Sequence, residues 1–348
     1  MFSNFGIKIK EGLTFDDVLL TPKHSNIVSR SHVDLTVEVN DHEFSNPIIP
    51  ANMKSIVGKQ MLDSIFDYGG LGILHRFLPF EEQLQIVDYF IEVGGRITPF
   101  NHIGFSIGVQ EEDKHRVSKL VDKGVQIFCI DIAHGDSDSA INMTKFIRQL
   151  DKNITIIAGN VATADGAALL WKAGADIVKV GVGGGSLCTT RIETGNGVPQ
   201  LTALIDVYGA KENWEQILGK NLYIIGDGGI KNAGDMVKAL CFCDMIMAGN
   251  VFAGCSETPG KVLCIGDNTY KEYVGSSTHK TNYVEGVSAL VPAKGSFSVV
   301  LQKMLEGIRS GCSYQGVSNL EDLRKNPEFV KITNSGLIES KPHNIIMV

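Results

Sequence analysis

The sequence predicts an α/β fold, a (β/α)8 TIM barrel in a single domain, on three observations. Short β-branched runs ending in glycine or a polar residue recur, each followed by a longer stretch with apolar residues at helical spacing. Eight such βα units succeed one another with no linker or low-complexity tract. The 348 residues suit one barrel with a few insertions. Eight consecutive units favour a barrel over the alternative, an open doubly wound sheet.

Strands are expected at 47–50, 71–75, 102–108, 125–131, 154–159, 177–180, 222–226 and 245–248. Helices are expected near 58–68, 80–93, 111–123, 137–150, 163–173, 200–218, 232–240 and 297–310, with Ser137 and Thr163 as N-caps. An N-terminal extension precedes the first strand, and a C-terminal tail covers about 311–348. Two stretches break the repeat and read as loops: 181–199 after strand six, and 250–296 after strand eight, with a flap at about 255–295. Both follow strand C-termini, the face of a barrel on which loops converge and chemistry is done.

Hydrophobic residues make up 43% and charged residues 20%, an ordinary globular composition. A net charge of −7 gives no basic footprint for nucleic acid or an anionic membrane, so an anionic ligand has to be gripped locally. Met1-Phe-Ser-Asn-Phe lacks a signal-peptide pattern and no run of 18 apolar residues occurs, so a cytoplasmic protein is expected. The seven cysteines show no Cys-x-x-Cys pair, and reduced thiols are expected.

Three glycine-rich turns follow strands six, seven and eight: Gly-Val-Gly-Gly-Gly-Ser at 181–186, Gly-Asp-Gly-Gly at 226–229 and Ala-Gly-Asn at 248–250. Backbone N–H groups exposed there can surround a phosphate. Asp227, between glycines, suits a ribose hydroxyl pair; the alternative is a cap for the next helix. Cys188 stands two residues beyond Ser186 in a loop too polar for core, which points to a nucleophile. Thr190 can relay a proton if a carboxylate assists it.

The run Gly-Ser-Leu-Cys-Thr-Thr-Arg at 185–191, followed by Thr-Gly-Asn-Gly-Val-Pro-Gln at 194–200, resembles the signature of inosine monophosphate dehydrogenases and guanosine monophosphate reductases. The likeness extends to 14–20, 51–53, 130–135, 158–160, 227–229, 252–254 and 308–310. It implies attack of Cys188 on purine C2 and a thioimidate-like covalent intermediate. Dehydrogenases of this family hydrolyse that intermediate with a flap arginine, whereas reductases expel ammonia from GMP. No arginine occurs between Ile192 and Ile308, only nine residues separate Gly275 from Glu285, and no paired CBS module interrupts the second barrel unit. These features favour the reductase: NADPH-dependent conversion of GMP to IMP. The runs at 14–20, 157–163 and 197–202 resemble dehydrogenases at least as much, and an IMP dehydrogenase lacking the CBS module is the alternative. A non-catalytic nucleotide-binding paralogue is a third reading.

By the same resemblance Cys188, Thr190 and Glu285 are catalytic. Ser186, Gly228, Gly229, Gly249 and Asn250 would hold the substrate phosphate, Asp227 its ribose, and Gly275, Ser276, Ser277 and Gly286 the base. NADPH would meet Ser29, Arg30, Arg76, Asp131, Ile132, Ala133, Val182 and Gly183. The segment Ser310, Gly311, Cys312 and Ser313 would reach it across a boundary in a homotetramer. Carbonyls of Gly183, Gly185 and Cys188 match a monovalent cation site, K+ in this family. His75 and His134 lack a second metal ligand at helical or strand spacing. The chain departs from the family at Gly184, where proline is usual, at Ser276, where methionine is usual, at Asn282 or a neighbour, where many reductases have arginine, and at Lys54, where an acid is frequent.

Overall fold

A computed structural model describes residues 9–94, 99–275 and 287–342. Eight strands form one parallel sheet: β1 (Ile48–Pro50), β2 (Gly72–Leu74), β3 (Ile103–Ile107), β4 (Ile127–Asp131), β5 (Thr155–Val161), β6 (Ile177–Val180), β7 (Tyr223–Asp227) and β8 (Met245–Ala248). Their order is β1-β8-β7-β6-β5-β4-β3-β2, and the two end strands approach each other, so the barrel is nearly closed. The strands are apolar almost throughout because both faces are covered, by the barrel interior and by the helices.

Eight helices cover the outside: α1 (Lys59–Asp67), α2 (Phe80–Gly94), α3 (Glu111–Asp122), α4 (Asp138–Leu150), α5 (Ala164–Ala173), α6 (Gln200–Leu218), α7 (Ala233–Leu240) and α8 (Phe297–Tyr314). The Ser137 and Thr163 side chains accept from Ala140 N–H and Gly166 N–H, the expected caps. At the N-terminal face Asp176 accepts from Lys220 and the Ile156 N–H at 2.8 and 2.9 Å and pairs with Arg148, a structural clamp remote from the loops.

The stretch after β8 is not the irregular loop that composition suggests. Val262–Ile265, Asn268–Val274 and Ser288–Pro292 form a three-stranded antiparallel sheet. Its central strand buries Tyr273 and Lys271 against the barrel mouth, while Val262–Ile265 is exposed along its length. The exposure leaves that edge strand without the apolar alternation that marks a half-buried strand. The N-terminal extension is anchored too: Thr14 and Asp17 form a reciprocal cap, and Val18–Leu20 pairs with Phe329–Lys331.

Candidate active site

The loops after β6, β7 and β8 meet over the barrel mouth as the glycine turns require. Gly181 has φ +148°, and a methyl there would lie 1.8 Å from the Asp227 carbonyl oxygen, so only glycine lets the β6 loop pass β7. The Gly229 N–H donates to the Gly184 carbonyl at 3.0 Å, stitching the β7 turn to the β6 loop. The Gly229 N–H is thus engaged within the protein, while Gly229 still lines the cavity at this mouth.

Two adjoining cavities share this mouth. One is lined by Ser186, Gly228, Gly229, Gly249, Asn250 and Tyr273, together with Thr14, Phe15 and Asp16 of the N-terminal extension. The other is lined by Cys188, Thr190, Arg76, Asp131, Ile132, Ala133, Val182, Gly183 and Gly275, with Met53 and Met247 as apolar walls. The structure thus brings together most of the residues expected at substrate and cofactor. Glu285, Ser276, Ser277 and Gly286 lie outside the described residues.

Cys188 is half-buried, and its thiol donates to Thr190 Oγ1 at 3.2 Å. Its N–H closes a turn on the Gly185 carbonyl at 3.1 Å, and Thr190 opens the helical turn Thr190–Thr194. Among the described cysteines only Cys188 and Cys264 escape burial. Burial pushes the Cys129 and Cys312 thiols up to about 12, far from thiolate chemistry.

The floor carries residues the sequence reading missed. Lys179, on β6, donates to Asp227 Oδ2 at 2.9 Å and Asp131 Oδ1 at 3.2 Å. Burial alone would favour its neutral amine, but the Asp227 and Asp131 carboxylates outweigh burial and hold it protonated, well above the ordinary lysine range. Asn160 sits where the β5 register slips between Gly159 and Val161, and its amide donates to the Gly181 carbonyl at 2.8 Å and Asp227 Oδ2 at 2.9 Å. Asp227 is therefore oriented by two donors rather than spent capping α7, whose cap is Asn232. Gly159 makes room for this floor, since a methyl there would meet Lys179 Cβ at 2.7 Å. Tyr273, also missed, places its hydroxyl 3.4 Å from Ser186 Oγ.

His75 is buried at the end of β2 and accepts from the Phe77 N–H through Nδ1 at 3.2 Å. Burial, aided by the Lys54 ammonium, pushes its imidazole down to about 4, so it stays neutral. Arg76 stacks its guanidinium over the Phe77 ring at 4.6 Å, and its Nε is buried with no partner among the described residues. An orphaned cationic donor on the cavity wall fits a polar dinucleotide beside Asp131, Ile132 and Ala133.

Ser29 and Arg30 lie elsewhere, at the turn Arg30–His32, whose neighbour Val33 accepts from Arg309 of α8. This turn packs on the helix that carries Ser310–Ser313. Within that segment the Cys312 side chain is fully buried, and Gly311 packs on Val237 of α7. The Cys312 side chain thus belongs to the core, while Ser310, Gly311 and Ser313 are partly exposed.

The chain resembles known proteins in both sequence and fold. The family model described as "IMP dehydrogenase / GMP reductase domain" matches residues 12–343. The inosine-5'-monophosphate dehydrogenase of Nitrosopumilus maritimus is 30% identical over 482 residues, covering 98% of this chain and all of that protein. That of Borreliella burgdorferi is 32% identical over 404 residues, covering 97% and 98%. Among solved structures, a GMP reductase variant from Trypanosoma brucei in complex with guanosine 5'-monophosphate superposes with TM-score 0.87 at 27% identity, over 99% of this chain and 100% of that one. The barrel, the glycine loops around Cys188 and these similarities together place the chain in the IMP dehydrogenase/GMP reductase family of purine-nucleotide oxidoreductases.

Proposed function

We propose that this protein catalyses the NADPH-dependent reductive deamination of GMP to IMP and ammonia, in purine nucleotide interconversion. The observation that carries the reading is the arginine-free stretch from Ile192 to Ile308, which spans the whole flap and leaves no guanidine to activate water for a dehydrogenase. GMP would lie with its phosphate between the β6 and β8 loops, its ribose on Asp227 and its C2 at Cys188. The sulfur adds to C2, its proton passing to Thr190 Oγ1 and on to Glu285. The same pair then protonates the 2-amino group, the C2–N bond breaks, and ammonia leaves a thioimidate-like adduct on Cys188. Bound NADPH supplies a hydride to C2. The C2–S bond then breaks, returning the Cys188 thiolate and releasing IMP.

Arg76, Asp131, Ile132, Ala133, Val182 and Gly183 would hold the nicotinamide half of the cofactor. Ser29 and Arg30, on the turn packed against α8, and the segment Ser310, Gly311, Cys312 and Ser313 of α8 would serve a neighbouring protomer of a homotetramer. The Gly183, Gly185 and Cys188 carbonyls would hold K+ and steady the loop.

The names of the curated relatives favour a second reading, IMP oxidation with NAD. Two mixtures separate the readings: GMP with NADPH, and IMP with NAD, each followed at the absorbance of the reduced nicotinamide. Loss of absorbance in the first alone is the expected result; a gain in the second alone overturns the proposal. Glu285→Gln should slow ammonia release far more than it weakens GMP binding, whereas equal losses would make Glu285 a base-binding residue only.

A further inference from the structure

The loop that presents Cys188 leaves β6 and returns to α6 across 181–199, and Arg191 fills its inside. Arg191 Nη2 donates to the Val198 carbonyl at 2.6 Å on the returning arm and to the Val182 carbonyl at 3.4 Å on the outgoing arm. The Arg191 carbonyl accepts from the Gly195 N–H at 3.2 Å. Its stem touches both arms as well: a methyl on Gly183 would lie 2.5 Å from Arg191 Cγ, and one on Gly197 2.8 Å. Both glycines have positive φ, +80° and +156°. Arg191 Nε is buried with no hydrogen-bond partner among the described residues, so the guanidinium is held by main-chain carbonyls. With Gly184 in place of a ring that would stiffen the loop, these contacts join its arms above the base, where Gln200 Nε2 donates to the Val180 carbonyl at 2.7 Å.

We propose that Arg191 is a positioning residue: it braces the two arms of the loop together and so fixes Cys188 Sγ against Thr190 before a nucleotide arrives. The inference rests on Cys188 being the nucleophile and holds for either direction of the family reaction. An unsupported arm lets the sulfur wander, and misplacement by about 1 Å can cost about 100-fold in rate.

The test combines steady-state kinetics with the rate at which iodoacetamide alkylates Cys188, read by peptide mass mapping in the full-length enzyme without nucleotide. In Arg191→Met, kcat should fall about 100-fold with little change in KM for the nucleotide. Alkylation of Cys188 should become several-fold faster, because the freed loop exposes the thiol. Arg191→Lys keeps the charge but loses the planar guanidinium that fills the loop, and should fall between; it carries the test should the methionine variant fail to fold. Gly197→Ala, which pushes the stem aside, should match Arg191→Met and add little to it when the two are combined. Wild-type alkylation rates in the Arg191 variants overturn the proposal, as does a rise in KM with alkylation unchanged, which would make Arg191 a ligand-binding group. If instead Cys188→Ser retains full turnover, the nucleophile reading is what has failed.

Discussion

Thr190 Oγ1, 3.2 Å from the Cys188 sulfur, gives the thiol proton a first acceptor, and the proposed relay would pass it on to Glu285, which lies outside the described residues. Thr190→Val should therefore cut kcat by about 100-fold while GMP affinity, measured by calorimetry, stays near wild type. Lys179 has a different task. Its removal leaves Asp131 and Asp227 facing each other without a counter-ion, so Lys179→Met should destabilise the fold by about 3 kcal/mol in urea titration, and adding Asp131→Asn should restore part of the loss. Nothing in the motif at 181–191 announces this lysine. Its signal is subtler: a charged residue between Val178 and Val180, in a strand covered on both faces, has to find carboxylates inside the barrel. His75 predicts a pH effect. Its folded value near 4 lies below the ordinary 6.5, so the unfolded chain takes up the proton first and stability falls as pH drops through this window. About 3 kcal/mol is at stake, and His75→Asn should flatten the stability profile between those two values.

The strands and helices of the barrel are legible in sequence because the strands are short, buried apolar runs and most of the helices carry an apolar stripe, with side-chain caps at Ser137, Thr163 and Asn232. The sheet after β8 is not, since Val262–Ile265 is solvent-facing and the central strand buries Lys271 beside Tyr273. Lys271 is satisfied by the Cys255, Ser256 and Thr258 carbonyls, contacts that no local pattern encodes. Asn160 was hidden for the same reason: it reaches Asp227 only because β5 bulges there. At this scale Gly181→Ala is the sharpest probe. A methyl 1.8 Å from the Asp227 carbonyl has to pry the β6 and β7 loops apart, so GMP binding should be lost while far-ultraviolet circular dichroism remains that of the barrel.

Across the whole molecule, one protomer assembles the two cavities at the barrel mouth, while Ser29 and Arg30, on the turn packed against α8, and Ser310–Ser313 of α8 do not line them. A homotetramer would give them a neighbour's cavity to serve, and sedimentation velocity should show four protomers; a fully active monomer contradicts that arrangement. The proposed direction of the reaction rests, at the same scale, on the absence of arginine between Ile192 and Ile308. The most direct measurement is peptide mass mapping of Cys188 after acid quenching of the enzyme turning over GMP with NADPH, and in parallel IMP with NAD. The expected result is an adduct of GMP less ammonia on Cys188 in the first mixture and none in the second. An unmodified Cys188 with GMP, and an adduct only from IMP with NAD, would contradict it.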